Sequence, residues 1–161
     1  MASVYYGVGL GAGGKHLDRS CSSIMVQHGG LIRCAIGNVE MGQGARTILA
    51  QIVADALGAP FELVNVIETD TDIIPDSGPT VASRTTFMSG NSLLLAAKDL
   101  KPRLIEAASL LLEAKVEDVK LEEGYAWANS APDKKIPFSQ VADKLYAERM
   151  QPISYGWVKA P

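Results

Sequence analysis

The 161-residue sequence predicts an α+β fold in two layers, with helices packed on a mixed β-sheet in the order β-β-α-β-α-β. Three observations carry that expectation. Short β-branched runs flank a His28-Gly29-Gly30 reversal, two long stretches place apolar residues at helical spacing, and a β-rich run separates those stretches. No repeat and no low-complexity linker interrupts the pattern, so residues 1–161 are expected to form one domain.

The elements follow in order. Gly7, Gly9, Gly11, Gly13 and Gly14 invite a dinucleotide-fold reading, but no strand-helix pair follows them, so they are read as a flexible strand and loop. Residues 22–26 and 31–36 are expected to pair as a β-hairpin. Ile48, Leu49, Ile52, Val53, Ala56 and Leu57 then mark one face of a helix that Gly58 and Pro60 stop. Residues 61–67 read as one largely buried strand. The next stretch, residues 70–86, is a long polar connection of the kind that commonly carries function.

A second helix is expected from residues 86–89 through Leu112, kinked or divided at Pro102. Residues 119–121 and 125–128 read as another hairpin, and Ser139 as the cap of a short helix through Val141, Ala142, Leu145 and Tyr146. Residues 150–161 read as irregular.

Bulk composition narrows the function classes. With 47% apolar and 20% charged residues the chain lies well inside globular territory. A formal charge of −3 supplies no broad positive field, which argues against nucleic acid. Cys21 and Cys34 are not closely spaced and read as reduced thiols, while His16 and His28 are isolated, so no metal ligand set is expected. No basic segment precedes an apolar stretch, and no run is long enough to span a bilayer. The expectation is a cytoplasmic protein with no membrane partner.

Two segments carry chemistry. In Met41-Gly42-Gln43-Gly44-Ala45-Arg46-Thr47, glycines precede an amphipathic helix, an arrangement that leaves amides unpaired at the positive helix end and binds phosphate. Gln43 and Thr47 add neutral hydrogen-bonding groups. In Pro79-Thr80-Val81-Ala82-Ser83-Arg84-Thr85-Thr86, hydroxyls and an arginine converge on the second helix start. Two anion sites in one domain suit a diphosphate-bearing ligand. The plainer alternative is a glycine-rich reversal, ordinary caps, and an Arg84 paired with Asp70 or Asp72.

Together, Glu40-Met41-Gly42-Gln43-Gly44, Thr47, Glu68-Thr69-Asp70-Thr71, Pro75, Thr80 and Ala82-Ser83-Arg84 resemble the molybdopterin-binding domain of the xanthine dehydrogenase and aldehyde oxidase family. The resemblance runs from about Val4 to the C-terminus. It implies cofactor contacts at Gly42, Gln43, Gly44, Ala82, Ser83 and Arg84, with Thr47, Thr80 and Thr85 as weaker candidates. The implied cofactor is molybdopterin with molybdenum, carried in many bacterial members as the cytosine dinucleotide, and the metal is held through the pterin dithiolene. The implied reaction is hydroxylation of a heterocycle or aldehyde with water as oxygen source, assisted by a glutamate base.

The chain departs from that pattern. It lacks the earlier glutamine-bearing cofactor segment, the downstream glutamate base and any cysteine framework for clusters. Glu40 precedes the glycine-rich turn, outside the base motif, and is read as structural. No residue of this chain is assigned catalysis, and alone it is expected to be inactive. It reads as a fragment or short subunit of a larger molybdenum hydroxylase. Its expected partners are the rest of the molybdenum subunit, an iron–sulfur subunit and a flavin subunit, with clusters and FAD only on those chains, and a small-molecule substrate. Self-association of the isolated chain is also expected. The competing readings are a stand-alone nucleotide or phosphate-binding module without redox activity, and a purely structural interaction protein.

Overall fold

The computed structural model describes residues 1–160, apart from the side chains of Ala12, Gly13 and Lys15. Strands β1 (Arg19–Val26) and β2 (Ile32–Ile36) form the expected hairpin, antiparallel with Ile24 opposite Cys34. Its reversal is one 3-10 turn, His28–Gly30, where Gly29 and Gly30 take φ of 73° and 88°. Only glycine adopts such angles without strain. β1 alternates with period two: Ser20, Ser22, Ile24 and Val26 are buried on one face, while Cys21, Ser23 and Met25 are half-buried on the other. The glycine-rich entrance differs from expectation. Gly11–Gly14 is one helical turn, α1, followed by a 3-10 turn at Lys15–Leu17, and the Asp18 carboxylate accepts the Leu10 N–H at 2.7 Å just before it.

Helix α2 (Ala45–Leu57) buries Leu49, Val53 and Leu57 and ends as expected at Gly58, whose left-handed φ of 73° lets its N–H reach Ala54 and Asp55 carbonyls. α2 crosses over to β3 (Val64–Val66), which lies parallel to β2. The buried strand expected over residues 61–67 is thus only three residues long. Phe61–Leu63 forms a 3-10 turn closed by Leu63 N–H on the Pro60 carbonyl, and β3 sits at a sheet edge with Asn65 exposed.

Helix α3 (Gly90–Leu112) is preceded by a π turn at Thr85–Ser89 and runs unbroken through Pro102. Pro102 cannot bond the Lys98 carbonyl, but both residues lie on the solvent-exposed side of the helix, so the lost bond falls outside the core and the helix need not divide. β4 (Val119–Glu122) and β5 (Tyr125–Ala128) pair as expected, and β6 (Ala131–Pro137) adds an unexpected third strand. α4 (Phe138–Ala147) begins after Pro137; Ser139 lies inside it and caps nothing.

The largest departure is at the end of the chain. β7 (Ile153–Lys159) is a regular strand, antiparallel to β1 from Arg19 opposite Lys159 to Met25 opposite Ile153. Pro161, the last residue of the segment read as irregular, lies outside the described residues. The main sheet has the order β3-β2-β1-β7, mixed because only β2 and β3 run parallel, and the smaller sheet is β4-β5-β6. α3 packs on β1 and β7, with α2 and α4 beside it. Leu93, Leu100, Leu104, Val53, Leu57, Val141 and Leu145 join Ile24, Ile32 and Ile36 in one core. Burying each such side chain contributes about 1.5–3 kcal/mol.

β7 reaches α3 at backbone contact. A Cβ on Gly156 would lie 1.7 Å from the Ser92 carbonyl oxygen. Ser92 Oγ is hydrogen-bonded to Ser22 Oγ at 2.6 Å and to the Gly156 carbonyl at 3.1 Å, and Ser20 Oγ meets Ser89 Oγ at 3.2 Å. This polar seam fixes the N-terminal end of α3, and with it the loop before the helix. Among the described residues no helix is long and apolar enough to cross a membrane.

Candidate functional site

The turn before α2 is organised by Glu40. Its carboxylate accepts the amide N–H groups of Gly42 at 2.9 Å, Gly44 at 3.0 Å and Arg46 at 3.2 Å. The Arg46, Gly44, Gly42 and Ala45 amides together hold its pKa below the usual carboxylate range, with Arg46 the largest contributor. The expected vacant phosphate cradle is therefore already filled: a carboxylate of the same chain satisfies the orphan amides and the positive helix end. Gly42 and Gly44 have φ of 96° and 77°, which lets the turn wrap around that carboxylate. Gln43 folds back on the same turn, its Oε1 accepting Met41 N–H at 2.6 Å and its Nε2 donating to the Val39 carbonyl at 2.8 Å. Thr47 is exposed on the first turn of α2 and does not line the cleft described below.

The second segment is strained. Ala82 and Ser83 have φ of 52° and 50°, and Arg84 N–H returns to the Val81 carbonyl at 3.2 Å, the pattern of a type I′ turn. Two successive non-glycine residues in the left-handed region cost about 1–3 kcal/mol each. Among the described residues neither the Ala82 nor the Ser83 amide is used in a hydrogen bond.

Arg84 does not reach this surface. It is fully buried, with Nε on Asp18 at 2.9 Å, one terminal nitrogen on the carbonyls of Ser77 (2.9 Å) and Pro79 (2.7 Å), and the other on those of Arg19 (2.6 Å) and Leu17 (3.4 Å). These bonds use all five guanidinium donors. The expectation that Arg84 contacts a ligand phosphate is corrected, and so is its alternative pairing with Asp70 or Asp72.

The two segments meet. Thr80 Oγ1 accepts Val39 N–H at 3.0 Å and Thr85 Oγ1 accepts from Asn38 Nδ2 at 3.3 Å. A cleft of about 400 Å³ lies between them, with Met41 and Gln43 on one wall and Thr80, Val81, Ala82, Ser83, Thr85 and Thr86 on the other. None of these side chains carries a charge. Gln43, Thr80, Ala82, Ser83 and Thr85 are thus brought together, while Gly42 and Gly44 shape the turn beside them. Asn38 escaped the sequence reading. It is buried, its main-chain carbonyl accepts Thr69 Oγ1 at 2.7 Å, and among the described residues its Oδ1 has no partner. Asp18 escaped too; among the basic and polar residues Lys15, His16 and Arg19 ahead of β1 it carries no sequence signal of its own.

Elsewhere, Cys21 and Cys34 are free thiols, and burial pushes Cys34 up to about 12. His28 stacks on Tyr146 and pairs with Asp143, and among the described residues no group of three His, Cys, Asp or Glu side chains could hold a metal ion.

The loops that leave the C-terminal ends of the parallel strands β2 and β3 thus close on one uncharged cleft. The model of the molybdopterin cofactor-binding domain family matches residues 1–159, and the chain belongs to that family. It is 31% identical over 135 residues to the nicotine 6-hydroxylase large subunit of Paenarthrobacter nicotinovorans, covering 83% of this chain and 16% of that one. It is 31% identical over 157 residues to the xanthine dehydrogenase of Calliphora vicina, covering 97% of this chain and 10% of that one. Quinoline 2-oxidoreductase from Pseudomonas putida 86 superposes over 88% of this chain and 19% of its own, with a TM-score of 0.74 and 26% identity. A Cu,Mo-CO dehydrogenase shares the fold over the same 88%, with a TM-score of 0.76. The chain spans less than a fifth of each of these relatives.

Proposed function

We propose that this domain holds molybdopterin in the cleft between the Glu40-capped turn and the Ala82–Ser83 turn, within a larger molybdenum hydroxylase. The observation that carries the reading is the convergence of two segments, some forty residues apart in sequence, on one cleft. The donor set fits the group. Free amides at Ala82 and Ser83, hydroxyls at Thr80, Ser83, Thr85 and Thr86, and the neighbouring Gln43 turn offer neutral hydrogen bonds to a pterin and its phosphate. With no charged side chain in the lining, binding depends on amides and hydroxyls in place of ion pairs, so salt screens it weakly.

When bound, the group supplies the redox chemistry and oxygen transfer from water. The residues of this chain orient and shelter it. General-base assistance to hydroxylation of a heterocycle or aldehyde would fall to a glutamate on another part of the assembly, and electrons would leave through iron–sulfur and FAD centres on partner chains. We assign the cofactor the cytosine dinucleotide form, and the assembly a cytoplasmic location. The isolated domain, stripped of the rest of its molybdenum subunit, self-associates through its bare sheet face, where Tyr155 and Trp157 are exposed.

The test is purification of the native assembly from cells that make the cofactor, with molybdenum, pterin and released cytidine monophosphate measured together. Equal amounts of the three are expected, and a Ser83→Ala variant, which loses a hydroxyl lining the cleft and keeps the turn backbone, retains less. An assembly with nucleotide but no molybdenum would instead make this a plain nucleotide-binding module.

A further inference from the structure

We infer that Asp18 and Arg84 are positioning residues for the cofactor turn: together they hold the left-handed Ala82–Ser83 backbone in its ligand-ready shape and tie it to residues 9–10 and 17–19 ahead of β1. This rests on the cofactor reading above.

The turn has one local hydrogen bond, Arg84 N–H to the Val81 carbonyl, which is little to hold two residues at positive φ. The rest of the restraint is remote. From the end of the turn, the Arg84 side chain runs inward and grips residues 77–79 on one side and residues 17–19 on the other. Asp18 takes Arg84 Nε with one oxygen and Leu10 N–H with the other. Gly9 N–H, next to Leu10, donates to the Ala82 carbonyl at 3.0 Å. The contacts form a closed ring: Ala82 to Gly9, Leu10 to Asp18, Asp18 to Arg84, and Arg84 back to the turn by the chain.

Two glycines make room for the ring. A Cβ on Gly78 would stand 2.8 Å from the Leu17 carbonyl oxygen and 3.1 Å from an Arg84 terminal nitrogen. One on Gly9 would stand 2.9 Å from an Asp18 carboxylate oxygen. Lysine cannot replace Arg84, because one ammonium cannot span a carboxylate and four carbonyls arranged around a planar fork. A buried pair of this kind is often neutral for overall stability, so its role is sought in local geometry.

The experiment measures amide hydrogen exchange and molybdenum retention on the full chain in its native assembly. Asp18→Asn is expected to speed exchange at Gly9 and Arg84, whose amides bond to the Ala82 and Val81 carbonyls, by about tenfold while leaving the β1–β2 hairpin unchanged, and to speed molybdenum loss on dilution by a similar factor. Asp18→Glu, which keeps the charge, restores part of both. If Asp18→Asn does not fold, removal of residues 1–9 deletes the Gly9 bond while keeping both side chains of the ion pair, and about threefold faster exchange at Arg84 is expected. Faster exchange spread evenly through the hairpin, or a loosened turn with unchanged molybdenum retention, overturns the assignment. Wild-type assembly lacking molybdenum would overturn the cofactor reading, and the exchange pattern would still decide whether Asp18 sets the turn.

Discussion

Gly156→Ala tests the packing that carries the cleft. The added Cβ would sit 1.7 Å from the Ser92 carbonyl oxygen, and real Cβ atoms essentially never come within 3.0 Å of a heavy atom, so β7 and α3 must part by about 1.3 Å (3.0 minus 1.7). Neither side of that contact is a flexible side chain: the 2.7 Å distance to the Ser92 carbonyl carbon and the 3.1 Å distance to Ala96 N place helix backbone against strand backbone. A separation of this size breaks the Ser92–Gly156 and Ser92–Ser22 hydrogen bonds, each worth about 1 kcal/mol. It also forfeits a quarter to a half or more of the dispersion along the seam. The sum is about 3–5 kcal/mol, a large share of the 5–15 kcal/mol typical of a domain. Urea unfolding should show this as a lower midpoint at unchanged slope, with Gly7→Ala, where a Cβ meets nothing within 4 Å, as control. A loss below about 1 kcal/mol would refute the backbone-contact argument.

Glu40→Ala leaves the amides of Gly44 and Arg46 without their acceptor, so their exchange should quicken while the C-terminal turns of α2 stay protected; unchanged exchange at Gly44 contradicts the capping role. Asp18 is held below its ordinary value of about 3.8, first by the Leu10 N–H, with burial opposing and Arg84 assisting. Its contribution is therefore full above that value and lost as pH falls through the lowered one, so the urea midpoints of wild type and Asp18→Asn should converge only at acid pH. A difference that stays constant down to the acid limb argues against the pair. Pro102→Ala should stabilise by about 1–3 kcal/mol by restoring the bond to Lys98 in a helix already continuous there, and a loss of stability would show that the proline shapes the helix. Iodoacetamide should label half-exposed Cys21 in the native protein and reach Cys34, raised to about 12 by burial, only on unfolding; equal native labelling would contradict the burial.

What the sequence made legible was local. The His28–Gly30 reversal, the apolar face of α2 and the Gly58 stop each depend on neighbours within a few positions, and each stands where periodicity and turn chemistry place it. β7 was illegible because its inward positions, Ser154 and Gly156, are small to admit the α3 backbone, and small residues read as turn. β6 was missed because an exposed strand of Asp, Lys and Pro residues has no apolar face. At the site, the residue types around the cleft were visible and their partners were not. Arg84 meets an aspartate 66 positions earlier, and the α2 amides are taken by Glu40, a pairing that rests on loop geometry beyond any spacing rule.

The most direct test of the cleft is residue-resolved hydrogen exchange on the native assembly with cofactor bound and with cofactor removed. The account predicts that loading protects Ala82 and Ser83, whose amides have no acceptor among the described residues, and leaves Gly42 and Gly44 nearly unchanged because Glu40 already holds them. Protection confined to the separate cleft of Arg33 and Thr69, with none at Ala82 and Ser83, would contradict it.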